Sequence, residues 1–195
     1  MVAGRPRHYD EEELLEKATE VFRKKGYAGA SAKDLMNAME IGQGSFYNTF
    51  KGGKTELYEK SLIRFWGGAK KYLRDGTAMA VDPIQFIKEF FLSTIDRPEK
   101  EIQKGCYAGN TLVESSFFDE ERQQLAIRLL NELETEFKKA LIIAQEKGFL
   151  DKKKSVKVIS KHLLNLWNGI NITSRMKADR DTLRNMIEIN LKVLD

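Results

Sequence analysis

Three neighbouring residues in the glycine-rich segment 41–54 have side chains suited to reading a nucleic acid. The amide of Gln43 matches the N6 and N7 edge of adenine, and the hydroxyl of Ser45 serves as donor or acceptor at a base edge. Gly44 between them has no side chain, so the backbone is able to approach a groove closely. The pattern therefore predicts contacts with base edges in the major groove.

The run Ser45–Phe50 is too short to form a stable helix by itself and must be held by neighbouring elements. Phe46 and Phe50 are four residues apart, so they share one helix face and provide apolar anchors. The remaining surface of the run carries Tyr47, Asn48 and Thr49.

Two elements precede this run and predict how it is held. Asp10 and Glu13 form a capping-box pattern that opens a helix through about Lys25. Ser31 and Asp34 repeat the pattern at the start of a helix of about two turns, ending near Met39.

Two short helices joined by a tight turn and braced by a preceding helix describe a helix-turn-helix unit, whose second helix enters the DNA major groove. Around that helix we expect phosphate or minor-groove contacts from polar and basic residues: Ser31, Lys33, Lys51 and Lys54, with Arg5 and Arg7 on an N-terminal arm.

The remainder of the 195-residue chain is also helical in pattern, with few prolines and no convincing alternation of a strand. We predict an all-α protein of about nine helices, with a three-helix helix-turn-helix domain at 1–53 and a helical bundle at 54–195 for ligand binding and dimerisation. The 42% hydrophobic and 32% charged composition is that of a soluble protein, and the net charge of +4 is compatible with nucleic acid without proving it.

Several other functional classes are disfavoured by what the sequence contains. Two histidines and one cysteine give no metal-ligand spacing and no acid–base constellation, so we expect no catalytic residues, no metal and no cofactor. The longest apolar run, 140–144, is too short to span a bilayer. The N-terminus does not read as a secretory signal, and the single cysteine suggests a reducing compartment, which predicts a cytoplasmic protein without a membrane partner.

The helical bundle has two sets of apolar residues with different predicted uses. Aromatic bulk beside polar groups predicts a ligand cavity, although such residues are more often plain core. Its candidate lining is Trp66, Phe90, Phe91, Cys106, Tyr107, Asn110, Phe117, His162, Trp167 and Asn168. The last two helices are apolar on more than one face, which predicts a dimer interface that includes Leu163, Trp167, Ile170, Leu183, Ile187 and Leu191.

Residues 10–63 resemble the DNA-binding domain of the TetR family of bacterial transcriptional regulators. The matching text is EELLEKATEVFRKKGYAGASAKDLMNAMEIGQGSFYNTFKGGKTELYEKSL. The resemblance implies a homodimer that represses transcription at a palindromic double-stranded operator and is released by a small-molecule inducer. It places Gln43, Gly44 and Ser45 at base-contacting positions, Tyr47 at a phosphate-contacting position and Lys54 at the start of the fourth helix.

Two positions depart from the family pattern. Asn48 stands where histidine is common, which changes a local contact. The spacing from Phe50 to Lys54 is one residue longer than usual, and Gly52 and Gly53 are expected to absorb the extra residue.

Cys106 follows Gly105 at the predicted start of a bundle helix, a "GC" similar to that of the NemR-like subgroup of the family, in which the helix-opening cysteine is reactive. The positive end of a helix and the charge of Lys104 both favour the reactive thiolate. The alternative is a small, buried and inert side chain. The inducer is therefore either a non-covalent ligand or an electrophile.

Two further classes of function compete with a regulator. An enzyme built on a helical fold lacks the necessary acid–base or metal cluster in this sequence. A helix-turn-helix protein that has lost operator binding and acts as a scaffold, or as a ligand-binding helical protein, is disfavoured by the presence of Tyr47 and Lys54.

Overall fold

The computed structural model describes residues 9–117, 119–176 and 179–195. Within these ranges the chain forms ten α-helices and no β-strand, which confirms the all-α prediction. The helix beyond the predicted nine is a single turn that follows Pro98. The helices are α1 Glu11–Gly29, α2 Ala32–Met39, α3 Gln43–Thr49, α4 Gly53–Met79, α5 Pro83–Leu92, α6 Glu99–Ile102, α7 Tyr107–Ser115, α8 Glu120–Glu146, α9 Val156–Thr173 and α10 Arg180–Leu191.

The chain divides into two compact units, Met1–Phe65 and Trp66–Asp195, so the division falls inside α4. The sequence-based boundary between residues 53 and 54 lies where α4 begins and remains a prediction about domain organisation.

In the first unit, α1 and α2 begin at the predicted capping residues, but the Asp10 cap bonds a different amide from the one expected. The Asp10 carboxylate accepts from the Glu12 amide at 3.0 Å, so the cap of α1 uses the residue before the expected Glu13. Gly26 has a φ of 72° inside the range of α1 and marks a kink there. The core beneath these helices includes Ala18 and Phe22, which are 0% and 1% exposed.

In the second unit, α8 is the central helix and packs against α5, α7 and α9. Asp119 caps it by accepting from the Arg122 amide at 2.9 Å. Asp179 caps α10 by accepting from the Thr182 amide at 2.9 Å. Among the described helices, none is long and apolar enough to cross a membrane.

Candidate nucleic-acid interface

Helix α3 is held by two phenylalanines on its inner face. Phe46 and Phe50 are both 0% exposed, and their ring centroids are 6.0 Å apart. The Phe46 amide donates to the Gly42 carbonyl at 2.9 Å. Because a seven-residue helix is unstable alone in water, burial of these rings is what fixes α3, as the four-residue spacing predicts.

The outer face of α3 presents the polar residues singled out from the sequence. The Tyr47 ring is 47% exposed and meets the Phe46 ring edge-on at 5.0 Å. A Cβ atom added at Gly44 would meet no described atom within 4 Å, so this point of the helix is open. The face consists of the exposed residues Gln43, Gly44, Tyr47 and Asn48 with the half-buried Ser45.

The turn before α3 contains a residue in the left-handed region. Glu40 has a φ of 59°, a conformation that favours glycine or asparagine over glutamate. The next amide, of Ile41, donates to the Met36 carbonyl at 3.1 Å, and the Ile41 side chain is buried. Lys17 of α1 lies 3.6 Å from the Glu40 carboxylate and 2.9 Å from Glu13, whose hydrogen bond raises the pKa of Lys17.

At the start of α2, Ser31 is engaged within the protein. Its hydroxyl donates to the Asp34 carboxylate at 2.7 Å and accepts from the Asp34 amide at 3.1 Å, completing the predicted capping box. Lys25 of α1 pairs with the same carboxylate at 2.7 Å. The Lys25 hydrogen bond, followed by those from Ser31, holds the pKa of Asp34 well below its usual range.

The predicted cationic residues divide into three groups. Lys33 and Lys51 are exposed. The ammonium of Lys54 turns inward: it donates to the Ala30 carbonyl at 2.8 Å and lies 4.2 Å from the centroid of the Tyr27 ring. Arg5 and Arg7 lie outside the described residues.

The partners of Lys54 are functional neighbours that the sequence did not single out. The Tyr27 hydroxyl and the Thr55 hydroxyl are 2.9 Å apart, and the Tyr27 ring meets the Tyr58 ring edge-on at 5.1 Å. Tyr27 directly follows the kink at Gly26. Lys54 thus ties the start of α4 to the α1–α2 connection.

In the second unit, the structure gathers part of the predicted ligand set into one aromatic cluster. Phe90 stacks on Trp167 with centroids 5.3 Å apart and meets Phe91 edge-on at 5.4 Å. Phe137 of α8, which the sequence did not single out, stacks on Phe91 at 5.5 Å. All four rings are less than 9% exposed, so they form core as well as candidate lining.

Cys106 lies at the edge of this cluster as the N-cap of α7. Cys106 is 6% exposed as a residue, and its sulfur accepts from the Trp167 indole N–H at 3.4 Å and from the Gly109 amide at 3.3 Å. Its neighbour Tyr107 is also buried, at 2% exposure. Cys106 is the single cysteine of the sequence, so it forms no disulfide within the chain, and its site is packed.

Other members of the predicted ligand set are engaged elsewhere or exposed. The Asn110 amide donates to the Lys104 carbonyl at 2.9 Å and accepts from Arg175 at 3.1 Å. The His162 ring lies 3.0 Å from the Asn190 carbonyl of α10. Phe117, two residues beyond the end of α7, is 87% exposed, and its role in ligand binding stays a prediction.

Trp66 and Asn168 are the remaining members of the predicted ligand set. Trp66 is 3% exposed, and its indole N–H is buried with no hydrogen-bond partner in the described part of the chain. The Asn168 amide oxygen lies 3.9 Å from the position that a Cβ of Gly109 would occupy, which places it beside α7.

The six residues predicted for a dimer interface lie in the core of the chain's own bundle. Their exposure ranges from 0% to 8%, so they have little surface to offer a second chain. Within a single subunit they join α9 and α10 to the bundle. The six residues are Leu163, Trp167, Ile170, Leu183, Ile187 and Leu191, and their place in a dimer interface stays a prediction.

Neither unit offers a metal centre in the parts that the structure describes, where no three His, Cys, Asp and Glu side chains are grouped to hold an ion.

Two protein-family models match the chain. The model of bacterial regulatory proteins of the tetR family matches residues 14–60, which contain α2 and α3. The model of the tetracyclin repressor-like C-terminal domain matches residues 82–189.

Related sequences cover nearly the whole chain. The HTH-type transcriptional repressor DhaR of Mycobacterium sp. (strain GP1) is 25% identical over 182 residues, 93% of this chain and 90% of DhaR. The uncharacterized HTH-type transcriptional regulator YezE of Bacillus subtilis (strain 168) is 26% identical over 194 residues, 98% of this chain and 100% of YezE.

Solved structures have the same fold. A cysteine mutant of the TetR-family regulator CifR, in complex with a 26-base-pair operator DNA, matches with a TM-score of 0.81 at 24% identity, covering 96% of this chain and 98% of CifR. The reduced form of E. coli NemR matches with a TM-score of 0.82 at 18% identity, covering 94% of this chain and 96% of NemR.

Proposed function

Because the chain belongs to the TetR family of bacterial regulatory proteins and is a DNA-binding transcriptional regulator rather than an enzyme, we propose that it is a homodimeric repressor that reads a palindromic operator with α3 and is released by an inducer. The observation that carries the proposal is the exposed polar face of α3 over two fully buried phenylalanines. Since bacterial DNA lies in the cytoplasm, we place its action there.

The residues of the first unit have distinct proposed roles. Gln43 and Ser45 read base edges, and the open backbone at Gly44 permits a close approach to the groove. Tyr47 and Asn48 contact phosphates from the exposed face of α3.

Basic residues around α3 add sequence-independent affinity. Lys33 and Lys51 are exposed and neutralise phosphates. Ser31 is occupied in the capping box of α2 and Lys54 turns inward, so their proposed role is to position α2 and α4 for binding. Arg5 and Arg7 keep their proposed role as an arm that reaches the minor groove or the backbone.

We propose that the dimer surface lies on the exposed faces of α9 and α10. Val158 and Ile172 of α9 are 65% and 60% exposed, and Ile189 of α10 is 64% exposed. Between the first two, Gly169 is exposed, and a Cβ added there would meet no described atom within 4 Å. An apolar stripe with a glycine gap suits close packing against the same helices of a second copy.

The inducer is proposed to be a non-covalent apolar or aromatic molecule that repacks the cluster of Phe90, Phe91, Phe137 and Trp167. Stacked rings between facing helices suit such a ligand. The buried N–H of Trp66 is available to orient an acceptor atom, because no partner for it occurs in the described residues.

An electrophilic inducer acting at Cys106 is the second candidate, and a labelling experiment separates the two. The protein is treated with N-ethylmaleimide, adduct formation is followed by intact mass, and operator affinity is compared with that of Cys106→Ser. Since Cys106 is 6% exposed, we expect labelling much slower than in the unfolded chain, with unchanged affinity of the Ser variant. Rapid native labelling with loss of operator binding would favour the electrophile.

Selection of binding fragments from a random duplex library tests the main proposal. The expected result is a palindromic consensus bound by a dimer, with affinity for nonspecific duplex that falls steeply with salt. A protein that enriches no sequence and binds duplex DNA at neither 50 nor 200 mM salt (roughly the range over which such binding is sensitive) would instead be a scaffold or a ligand-binding helical protein.

A further inference from the structure

The turn between α3 and α4 is closed by the carboxylate of Glu56, which is not among the residues proposed to contact DNA. The Gly52 amide donates to Glu56 Oε2 at 2.7 Å. A Cβ at Gly52 would lie 2.9 Å from the Glu56 Cβ, so only glycine fits beside this side chain without a shift. Glu56 therefore fixes the backbone of the turn directly.

The Glu56 carboxylate is itself held by a network of ion pairs. Lys60 lies 2.9 Å from Glu56 Oε1 and donates to Glu11 Oε1 of α1 at 2.9 Å. The Lys60 ammonium also lies 5.7 Å from the centroid of the buried Phe50 ring. The turn is thus anchored through Glu56 to α4 and, through Lys60 and Glu11, to α1.

The groups that this turn carries are those proposed to meet phosphates. Lys51 precedes Gly52 and is exposed. Gly53, with a φ of 63°, is buried, and a Cβ there would lie 3.4 Å from Tyr47 Cε1, so the Tyr47 ring rests against this backbone. A shift of the turn would move the Lys51 Cα and remove the support of the Tyr47 ring together.

We propose that Glu56 is a positioning residue for DNA binding: bonded to the Gly52 amide, it sets the turn that carries Lys51 and supports Tyr47. This inference rests on the proposed function of the first unit. The Gly52 amide is also the main reason that the pKa of Glu56 is lowered, so the carboxylate is ionised where binding is measured.

An alternative interpretation of the Glu56 carboxylate predicts the opposite effect on DNA affinity. A carboxylate next to the phosphate-binding surface would repel DNA, and its removal would then strengthen binding. Two substitutions separate these readings. Glu56→Ala removes both the acceptor and the charge, whereas Glu56→Gln retains an acceptor for the Gly52 amide and removes only the charge.

The test measures affinity for a fluorescent 30-base-pair nonspecific duplex and for the selected operator, by anisotropy at several salt concentrations. We expect Glu56→Ala to bind both duplexes about tenfold more weakly, the size of one charge-assisted hydrogen bond, and Glu56→Gln to recover most of the loss. Tighter binding by either variant than by the wild type would overturn the proposal.

A double-mutant cycle with Lys51→Ala distinguishes positioning from general stabilisation. If Glu56 places Lys51, the loss caused by Lys51→Ala must be clearly smaller in the Glu56→Ala background, together with its effect on the salt slope. Additive losses would overturn the proposal. Circular dichroism establishes that each variant is folded at the assay temperature.

Gly52→Ala gives the same test from the backbone side if Glu56→Ala does not fold. Its added methyl collides with the Glu56 Cβ, so we expect the same weakening and the same reduced effect of Lys51→Ala. Wild-type affinity for a Gly52→Ala protein would overturn the proposal. Failure of the wild type to bind either duplex would instead contradict the proposed function itself.

Discussion

The two units of this chain differ in whether the residues that form the core are also the residues of the candidate site. In the first unit, Phe46 and Phe50 are buried, and the α3 residues proposed to meet DNA lie on the opposite face, exposed except for the half-buried Ser45. In the second unit, Phe90 and Trp167 are both core and candidate ligand lining. A surface that reads DNA is set by which residues remain outside, whereas a ligand site inside a bundle uses the residues that also hold the fold.

A consequence is that substitutions in the first unit are expected to divide cleanly between folding and binding. In the second unit we expect such a division on the outer faces of α9 and α10.

The largest difference is expected between two apolar positions of the last helices. Leu183→Asp places an unpaired charge at a site that is 5% exposed, so we expect a loss of about 4 kcal/mol or more in the free energy of unfolding. Ile172→Asp, at a site 60% exposed, should leave the subunit folded but weaken the dimer at least about hundredfold through like-charge repulsion across the two-fold axis.

Circular dichroism and sedimentation velocity measure these two effects. Val113→Asp, on α7 at 73% exposure, is the matched control and should leave the protein dimeric. An Ile172→Asp protein that stays dimeric at nanomolar concentration would remove this face from the interface.

Within the first unit, the base-reading and phosphate-binding roles should separate by their specificity. Gln43→Ala should weaken operator binding by about 1–3 kcal/mol, relax the preference at one base pair, and leave nonspecific binding unchanged. Tyr47→Phe removes a phosphate hydrogen bond, so it should weaken binding to both duplexes equally, by about 1 kcal/mol. Competition anisotropy with single-base operator variants distinguishes the two, and an equal loss on both duplexes for Gln43→Ala would refute its base-reading role.

Two lysines close together in sequence should differ in what they contribute. Lys54→Met loses the hydrogen bond to Ala30 and the contact with the Tyr27 ring, so we expect about 1 kcal/mol less stability with little change in the salt dependence of DNA binding. Lys51→Met should leave stability unchanged and reduce the salt slope by about 1. Urea unfolding and salt titrations measure both quantities, and a flattened salt slope for Lys54→Met would return it to the phosphate-contacting group.

The sequence predicted the all-α fold and the burial of Phe46 and Phe50, because helix periodicity and caps are local signals. It did not predict the direction of the Lys54 ammonium, which depends on Tyr27 and Ala30, both more than twenty residues earlier. The sequence also did not predict that Leu183 is buried within the chain's own bundle, because periodicity does not say which side of α10 that bundle covers.

The smallest expected effect concerns pH and again contrasts the two units. Hydrogen bonds from Lys25 and then Ser31 lower the pKa of Asp34, and a hydrogen bond from Lys71 lowers the pKa of Asp75 in the second unit. A carboxylate with a lowered pKa in the folded state contributes stability above its unfolded pKa of about 3.9, and this contribution disappears as the pH falls toward the folded value.

Urea unfolding of Asp34→Asn should therefore differ from that of the wild type at pH 7 and converge with it as the pH falls below about 4. Asp34 also completes the capping box of α2, whereas Asp75 pairs with neighbours on its own helix surface, so Asp75→Asn should show a smaller dependence on pH. An Asp34→Asn difference that persisted unchanged in acid would show that the carboxylate acts through its shape and not through its charge.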